Sequence, residues 1–390
     1  MKNPMIFFLA VLFPLLVEPA WRANGRRNSF FSVAGQEAAN NPDIQSPAWG
    51  FFAHKRINRL AVLTLPPEMM VFFKPNIDWI SDHAADPDMR RYAVKYEAPR
   101  HYIDLDHYGN PPFDSLPRLW PDALLEYSEI FGITETNNTI RYSGPGFGYS
   151  DSPSNDSVKL AYRRYLIRQI LPLYGNEEKT SNVDSLLVFF RNNGFSPAGA
   201  RYRTAPHASG FYLEHLSEHG ILPWNLQKMQ RDLTEAFRQR NGKRILRICT
   251  DMGHYIGDAH VPLHTTSNYN GQKTGQHGIH GFWESRIPEL FADDNYDYFV
   301  GKPDYISNTT DFFWQAVFDS NSMVDSVLNM ERALHLSFPS DRQMCPDMRN
   351  GKPVLAPCRD YSAAYQDHLQ GMIERRMRAA IHAVGSAWYT

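Results

Sequence analysis

The sequence predicts a mainly α-helical protein with long irregular connections. Apolar residues recur every three to four positions, which is the spacing of a buried helix face. The segments that show it are residues 184–193, 225–240, 243–259, 312–338 and 362–387. The alternation of polar and apolar residues that is typical of strands is nearly absent. Hydrophobic residues make up 43% of the 390-residue chain, which is sufficient for a large core.

The N-terminal segment predicts export. Residues 6–17 (IFFLAVLFPLLV) form an apolar run after Lys2. This run is short for a bilayer span and has the length of the hydrophobic region of a secretory signal. We therefore predict a signal peptide over residues 1–20 and a periplasmic or secreted protein, with an uncut membrane anchor as the alternative. Residues 21–48 are polar and without periodicity, so they are interpreted as a spacer or pro-segment.

Residues 49–390 are predicted to form a single all-α domain. Its first helix should end at Pro66 and Pro67, because the residue before a proline avoids the helical region. Further helices are predicted at residues 67–73, 76–83, 122–131 and 158–173. Residues 132–155 are rich in Gly, Ser, Asn and Pro and predict a long loop.

Charge and cysteine content narrow the functional classes. The formal net charge is −2, which argues against a protein that coats nucleic acid. The chain has three cysteines. Cys345 and Cys358 could form a disulfide bond in an oxidising compartment, which would leave Cys249 buried in a helix.

The most informative segment is HYIGDAHVPLH, from His254 to His264. On a helix, His254 and Asp258 lie one turn apart on the same face, where both side chains can reach one metal ion. Pro262 is expected to end this helix near residue 259 or 260. The turn that follows would return His264 toward the same site.

His280 and Glu284 repeat the four-residue spacing. A single His four residues from an acid is more often an ion pair on a helix surface than a metal site. Two such pairs within about thirty residues, interleaved with apolar residues, favour a multinuclear metal site that faces a packed interior. Imidazole and carboxylate ligands without cysteine suit zinc, while iron and manganese remain alternatives.

With these residues the chain resembles the superfamily of zinc-dependent phospholipases C and single-strand-specific nucleases. The resemblance covers residues 49–289 and rests on nine positions in the family's order: Trp49, His54, Asp86, His101, His254, Asp258, His264, His280 and Glu284. It implies an all-helical exported phosphodiesterase with three zinc ions. The step from His101 to His254 is longer than the family frame leads us to expect, which predicts a large insertion at about residues 130–220.

The resemblance also implies a ligand set for each ion. One zinc would be held by Asp86, His101, His254 and Asp258. A second would be held by His264, His280 and Glu284. The third would take His54, the bridging Asp258, and the α-amine and carbonyl of Trp49. Because a mid-chain amide nitrogen cannot serve as that amine ligand, Trp49 would have to be the mature N-terminus.

In this frame a zinc-bridged hydroxide attacks phosphorus, with catalytic roles for Asp86 and Asp258. The expected substrate is single-stranded nucleic acid, and Tyr102 and Asp104 stand where an aromatic ring stacks a base and a carboxylate reads its edge. One position departs from the frame: the arginine expected three residues after the first Asp is Met89 here, with Arg90 and Arg91 displaced.

Two alternatives remain open. Glu284, where the nucleases usually have Asp, resembles the phospholipases C, so a phospholipid head group is the alternative substrate. A non-catalytic exported metal-binding protein would keep the ligands and close the open coordination positions. The sequence implies no protein partner and leaves the oligomeric state open.

Overall fold

The computed structural model describes residues 51–94, 96–134, 139–143, 207–349 and 351–390. These residues belong to one compact unit, Pro47–Thr390, and they are mainly α-helical, as predicted. The predicted signal peptide, the predicted spacer and Trp49 lie outside the described residues. No helix in the described part of the chain is long and apolar enough to cross a membrane.

The helices are numbered here along the described residues. They are α1 (Phe51–Thr64), α2 (Pro67–Phe73), α3 (Ile77–Asp82), α4 (Asp86–Arg90), α5 (Trp120–Tyr127), α6 (Leu222–Arg238), α7 (Gly242–Ala259), α8 (Ile279–Gly281), α9 (Ile287–Asn295), α10 (Thr309–Asn321), α11 (Val324–Ser337), α12 (Arg359–His368) and α13 (Met372–Tyr389). A π-helical turn, Phe282–Arg286, joins α8 to α9.

Proline and capping residues set the ends of the helices that matter for function. Helix α1 ends at Thr64, and α2 begins at Pro67 with proline in its first turn, where the missing N–H costs no hydrogen bond. Helix α7 begins after Asn241, whose side chain accepts a hydrogen bond from the backbone N–H of Arg244. It ends at Ala259, as the proline at position 262 led us to expect.

Two buried apolar clusters hold these helices together. The larger cluster lies between α1, α6, α7, α10 and α13 and includes the fully buried Trp314 and Trp388. The second joins the α8–α9 segment to α11 and α12 through Phe282, Tyr361 and Tyr365. Long helices can pack in this way because each carries one apolar face. The candidate site described below lies between the two clusters' helices.

The prediction of an all-α domain is wrong in detail, because the described residues contain two small antiparallel sheets. In the first, β1 (Ser128–Thr134) pairs with β2 (Thr139–Ser143) and with β3 (His207–Glu214). The predicted helix over residues 122–131 therefore ends at Tyr127. The partner strand β3 is more than seventy residues away in sequence, so this pairing leaves little signal in the local apolar spacing.

The second sheet is a hairpin of β4 (Met344–Arg349) and β5 (Lys352–Pro357). A disulfide bond between Cys345 and Cys358 closes its base, and Cys249 is a buried free cysteine. The pairing of cysteines allowed by the sequence is thus confirmed.

Candidate metal centre

Helix α7 presents His254 and Asp258 to the interior from one face, as the four-residue spacing predicted. Both side chains are buried, with exposed fractions of 0% and 1%. The Nδ1 atom of His254 lies 2.8 Å from the backbone oxygen of Ala84, and a hydrogen bond there fixes the ring. Its Nε2 atom lies 3.4 Å from Oδ2 of Asp258.

Helix α1 brings His54 against the same face of α7. Its ring stacks on that of His254, with centroids 3.8 Å apart. A side chain at position 257 would prevent this approach, since a Cβ atom on Gly257 would lie 2.9 Å from Nδ1 of His54. The Nε2 atom of His54 lies 3.3 Å from a carboxylate oxygen of Asp258 and 3.3 Å from one of Glu284.

His101 reaches the site from a short 3-10 helix, Ala98–His101. Its Nδ1 atom lies 2.9 Å from Oδ2 of Asp258 and 3.1 Å from Nε2 of His254. The carboxylate beside these two imidazoles belongs to Asp88, whose Oδ1 atom lies 3.8 Å from His101 and 3.7 Å from His254.

The placement of Asp86 in this ligand set needs correction. Asp86 lies outside the group that Asp88 forms with His101 and His254, and it lines a surface cavity instead. Both residues lie on α4, and positions two apart on a helix point to nearly opposite sides. In this structure the acid that groups with His101 and His254 is therefore Asp88, two residues after the predicted Asp86.

The segment around Glu284 completes the centre. His264 comes from the 3-10 helix Pro262–Thr265, and Glu284 from the π-helical turn Phe282–Arg286. Turns of this kind are frequent at functional sites. Oε2 of Glu284 lies 2.7 Å from Nε2 of His280 and 3.4 Å from Nε2 of His264.

Three sets of side chains among the described residues have the geometry to hold a metal ion. They are His54, His254 and Asp258; Asp88, His101 and His254; and His264, His280 and Glu284. Asp258 contacts members of each set: His54, His254, His101, and also His264, at 3.6 Å. Of the nine positions of the sequence frame, only Trp49 lies outside the described residues. With Asp88 in place of Asp86, the other eight side chains lie together around Asp258.

The donor set fits divalent metal ions. Carboxylates and imidazoles are packed together away from water, and such groups are costly to bury without a compensating charge. Ring nitrogens of His54, His101 and His280 are buried and lack a hydrogen-bond partner among the described residues, although buried polar atoms are seldom left unpaired. A metal ion would supply the missing charge through the ring nitrogens that face Asp258 and Glu284; the unpaired nitrogens of these three rings are the opposite ones.

Electrostatics favour the ligand forms of the carboxylates. Although burial opposes ionisation, the imidazoles around Asp258 and Glu284 hold the pKa of each carboxyl well below its usual range. Burial and the neighbouring His54 lower the pKa of His254 to about 3. Burial also disfavours charge on His54, but hydrogen bonds to Asp258 and Glu284 raise its pKa to about 10. A cation entering the site would displace the proton of His54.

No protein-family model and no curated protein matched this chain. The resemblance therefore rests on the sequence motif.

Tyr102 and Asp104 follow His101 in sequence. In the structure they contact residues 218–220, at the end of the predicted insertion. The backbone N–H of Asp104 donates to the oxygen of His219 at 2.7 Å, and the Tyr102 hydroxyl donates to the oxygen of Glu218 at 3.4 Å. A Cβ atom on Gly220, which has φ +80°, would lie 2.1 Å from the oxygen of Tyr102. Glycine at this position therefore lets the inserted segment close against Tyr102.

The carboxyl of Asp104 has a raised pKa. Burial and the neighbouring Asp106 raise its pKa to about 7, against the pull of Lys273. Burial raises the pKa of the half-buried Tyr102 to about 12, so its hydroxyl stays protonated. This pair combines an aromatic face with a carboxyl that changes charge near neutrality.

Arg91 lies beside the candidate metal centre, although the sequence frame expected an arginine at position 89. Its Nη2 atom lies 2.9 Å from Oδ1 of Asp88, and its charge acts on His264 and Asp88. With Asp88 as the acid of the frame, Arg91 stands three residues later, where the resemblance expects an arginine. The alternation of faces on α4 separates Asp86 from Asp88, but it does not say which of the two acids faces α7.

Proposed function

We propose that this protein is a zinc-dependent phosphodiesterase that hydrolyses single-stranded nucleic acid. The observation that carries the proposal is the convergence of three ligand sets around Asp258. The centre combines five imidazoles with three carboxylates, which come from the helices α1, α4, α7 and α8 and from three short helical turns. Such a set, without thiolates, suits zinc in a catalytic role.

Zinc, when bound, lowers the pKa of water to near 7 and polarises a phosphoryl oxygen. The residues of the chain hold and orient the reacting groups. Asp258, which contacts members of all three sets, fixes their spacing. Asp88 takes the role that the resemblance gave to Asp86, and its second oxygen accepts a hydrogen bond from the attacking water. Arg91 has a guanidinium that can bind a non-bridging phosphate oxygen.

The position of Arg91 supports a nuclease, because the resemblance expects a catalytic arginine three residues after this acid. Tyr102 and Asp104 add an aromatic ring and a carboxyl beside His101, although the resemblance gives the phospholipases C an aromatic residue and an Asp at these positions too. Base stacking tolerates any sequence, as single-stranded substrates require. The proposed partner is therefore a single-stranded nucleic acid.

Glu284 supports the phospholipase C alternative, since the resemblance places glutamate at this position in that branch. A non-catalytic metal-binding protein would need the centre to be closed, whereas the His280 side chain is 26% exposed. That exposure leaves one edge of the centre open to a substrate.

Export is part of the proposal. The disulfide bond between Cys345 and Cys358 is of a kind that persists in oxidising compartments. A third zinc ion that uses the α-amine of Trp49 requires cleavage after residue 48. N-terminal sequencing of the exported protein tests this requirement, and any other N-terminus contradicts that ligand.

A substrate panel tests the function. Zinc-loaded protein purified after export is incubated with single-stranded DNA, RNA, duplex DNA, phosphatidylcholine vesicles and bis(p-nitrophenyl) phosphate. Hydrolysis of the single strands, abolished in Asp258→Asn, is expected. Hydrolysis of phosphatidylcholine alone would establish the phospholipase C alternative. Stoichiometric zinc without hydrolysis of any substrate would establish the binding protein.

A further inference from the structure

A second cavity lies on the side of α4 that faces away from the metal centre. It has a volume of about 390 Å³, within the range of small-molecule sites. Helices α3, α4 and α7 line it. Along α7 the cavity-lining Asp251 precedes Asp258 by seven residues, which corresponds to about 10 Å of helix. The cavity is therefore a neighbour of the metal centre and separate from its ligands.

Two of the charged groups that line this cavity, Asp251 and Arg90, are already paired with each other. Both oxygens of Asp251 accept hydrogen bonds from the guanidinium of Arg90, at 3.2 Å and 3.0 Å. Arg90 also donates to the buried Glu97 at 3.2 Å. Together with the contact of His254 to Ala84, this network forms a wall between the cavity and the metal centre.

Three other polar groups of the cavity lack such partners. The side chains of Asp86 and Arg247 make no hydrogen bond or ion pair with described residues, although both line the cavity. The hydroxyl of Thr250 is buried, the residue being 1% exposed, and it has no hydrogen-bond partner in the described part of the chain.

The remaining wall is aromatic. Trp79 and His83 stack with ring centroids 4.3 Å apart, and Trp79 is 38% exposed. A further planar ring can extend such a stack, as nucleobases do on aromatic side chains. The cavity thus offers an aromatic face, the Asp86 carboxylate and the guanidinium of Arg247, whose charge also acts on Asp251.

We propose that this cavity is a binding site for a nucleoside monophosphate. The base stacks on the Trp79 and His83 wall and donates from its amino edge to Asp86. Arg247 binds the phosphate. Because α4 carries Asp86 toward this cavity and Asp88 toward the metal centre, a bound ligand contacts the helix that positions Asp88. The cavity would bind this ligand whether or not the metal centre hydrolyses nucleic acid.

Calorimetric titration with adenosine 5′-monophosphate tests the site. Because the metal centre can also bind phosphate, the titration uses two backgrounds that disable it, Asp258→Asn and Glu284→Gln. One equivalent should bind in each background. Adding Trp79→Ala or Arg247→Gln should weaken binding at least about tenfold, since each removes one of the two main contacts. Both side chains reach solvent, and thermal unfolding checks that the fold is retained.

Truncated ligands identify what is recognised. Adenosine, which lacks the phosphate, and ribose 5-phosphate, which lacks the base, should each bind at least about tenfold more weakly than the nucleotide. Lys243→Gln, an exposed cation on the same helix and outside the cavity, is the matched control and should bind as the parent does. Unchanged affinity in both cavity variants, no binding in either background, or binding of phosphocholine in preference to the nucleotide would each overturn the proposal.

Discussion

The two sides of helix α4 carry similar residues with different roles. On one side Asp88 joins His101 and His254, and Arg91 pairs with it. On the other side Asp86 faces an open cavity. The two acids are separated by about 200° around the helix axis. The face of a short helix therefore decides which groups a carboxylate contacts. The number of residues between the carboxylate and His101 does not.

The largest expected effect comes from Asp258, which contacts members of every ligand set. Replacement by Asn removes a charge that the neighbouring imidazoles and metal ions need, so we expect kcat/KM to fall about a thousandfold or more and bound zinc to decrease. Hydrolysis of single-stranded DNA and elemental analysis measure both quantities. Metal-stripped wild-type protein is the control for stability. Full zinc content with wild-type activity would contradict the central role of Asp258.

The pair Asp88→Asn and Asp86→Asn tests the comparison directly. We expect Asp88→Asn to lower kcat/KM about a hundredfold and to reduce zinc content, because the carboxylate lies beside two imidazoles. Asp86→Asn is the matched control on the same helix, and its activity should stay within about twofold of wild type. The opposite ranking of the two variants would restore the original assignment of Asp86.

Arg91 extends the same comparison by one turn. Its side chain is 41% exposed, so solvent screens part of its interaction. We expect Arg91→Gln to lower kcat about tenfold through weaker binding of the phosphoryl group in the transition state, with zinc content unchanged. Arg90→Gln, which instead breaks the hydrogen bonds to Asp251 and Glu97, should lower thermal stability. Loss of zinc in Arg91→Gln would show that the arginine is needed only to position Asp88.

The smallest effect concerns Asp104. Its pKa is raised to about 7, so the carboxyl is mainly neutral below that pH and ionised above it. If it accepts hydrogen bonds from a base, KM should decrease about tenfold as the pH rises through 7. Asp104→Asn should remove this dependence on pH and leave kcat nearly unchanged. A KM profile identical in wild type and variant would exclude Asp104 from substrate binding.

Local patterns predicted the parts of the molecule that are local in sequence. The apolar spacing gave the long helices, and the four-residue spacing placed His254 with Asp258 and His280 with Glu284. Residues 312–338 form two helices, α10 and α11, because the chain breaks at Ser322 and Met323, which carry no proline or glycine to signal it.

Features that depend on distant contacts could not be read in this way. The pairing of β1 with β3 joins strands that are more than seventy residues apart in sequence. The choice between Asp86 and Asp88 depends on how α4 lies against α7, which no residue spacing records. The cavity beside Trp79 likewise exists only because three separate helices meet there.

Anomalous diffraction at the zinc absorption edge, from crystals of the exported protein, tests the central claim most directly. We expect strong peaks within bonding distance of Asp258, with Asp88 and not Asp86 among the ligands. A peak coordinated by Asp86, or the absence of any peak near Asp258 in zinc-loaded protein, would contradict it.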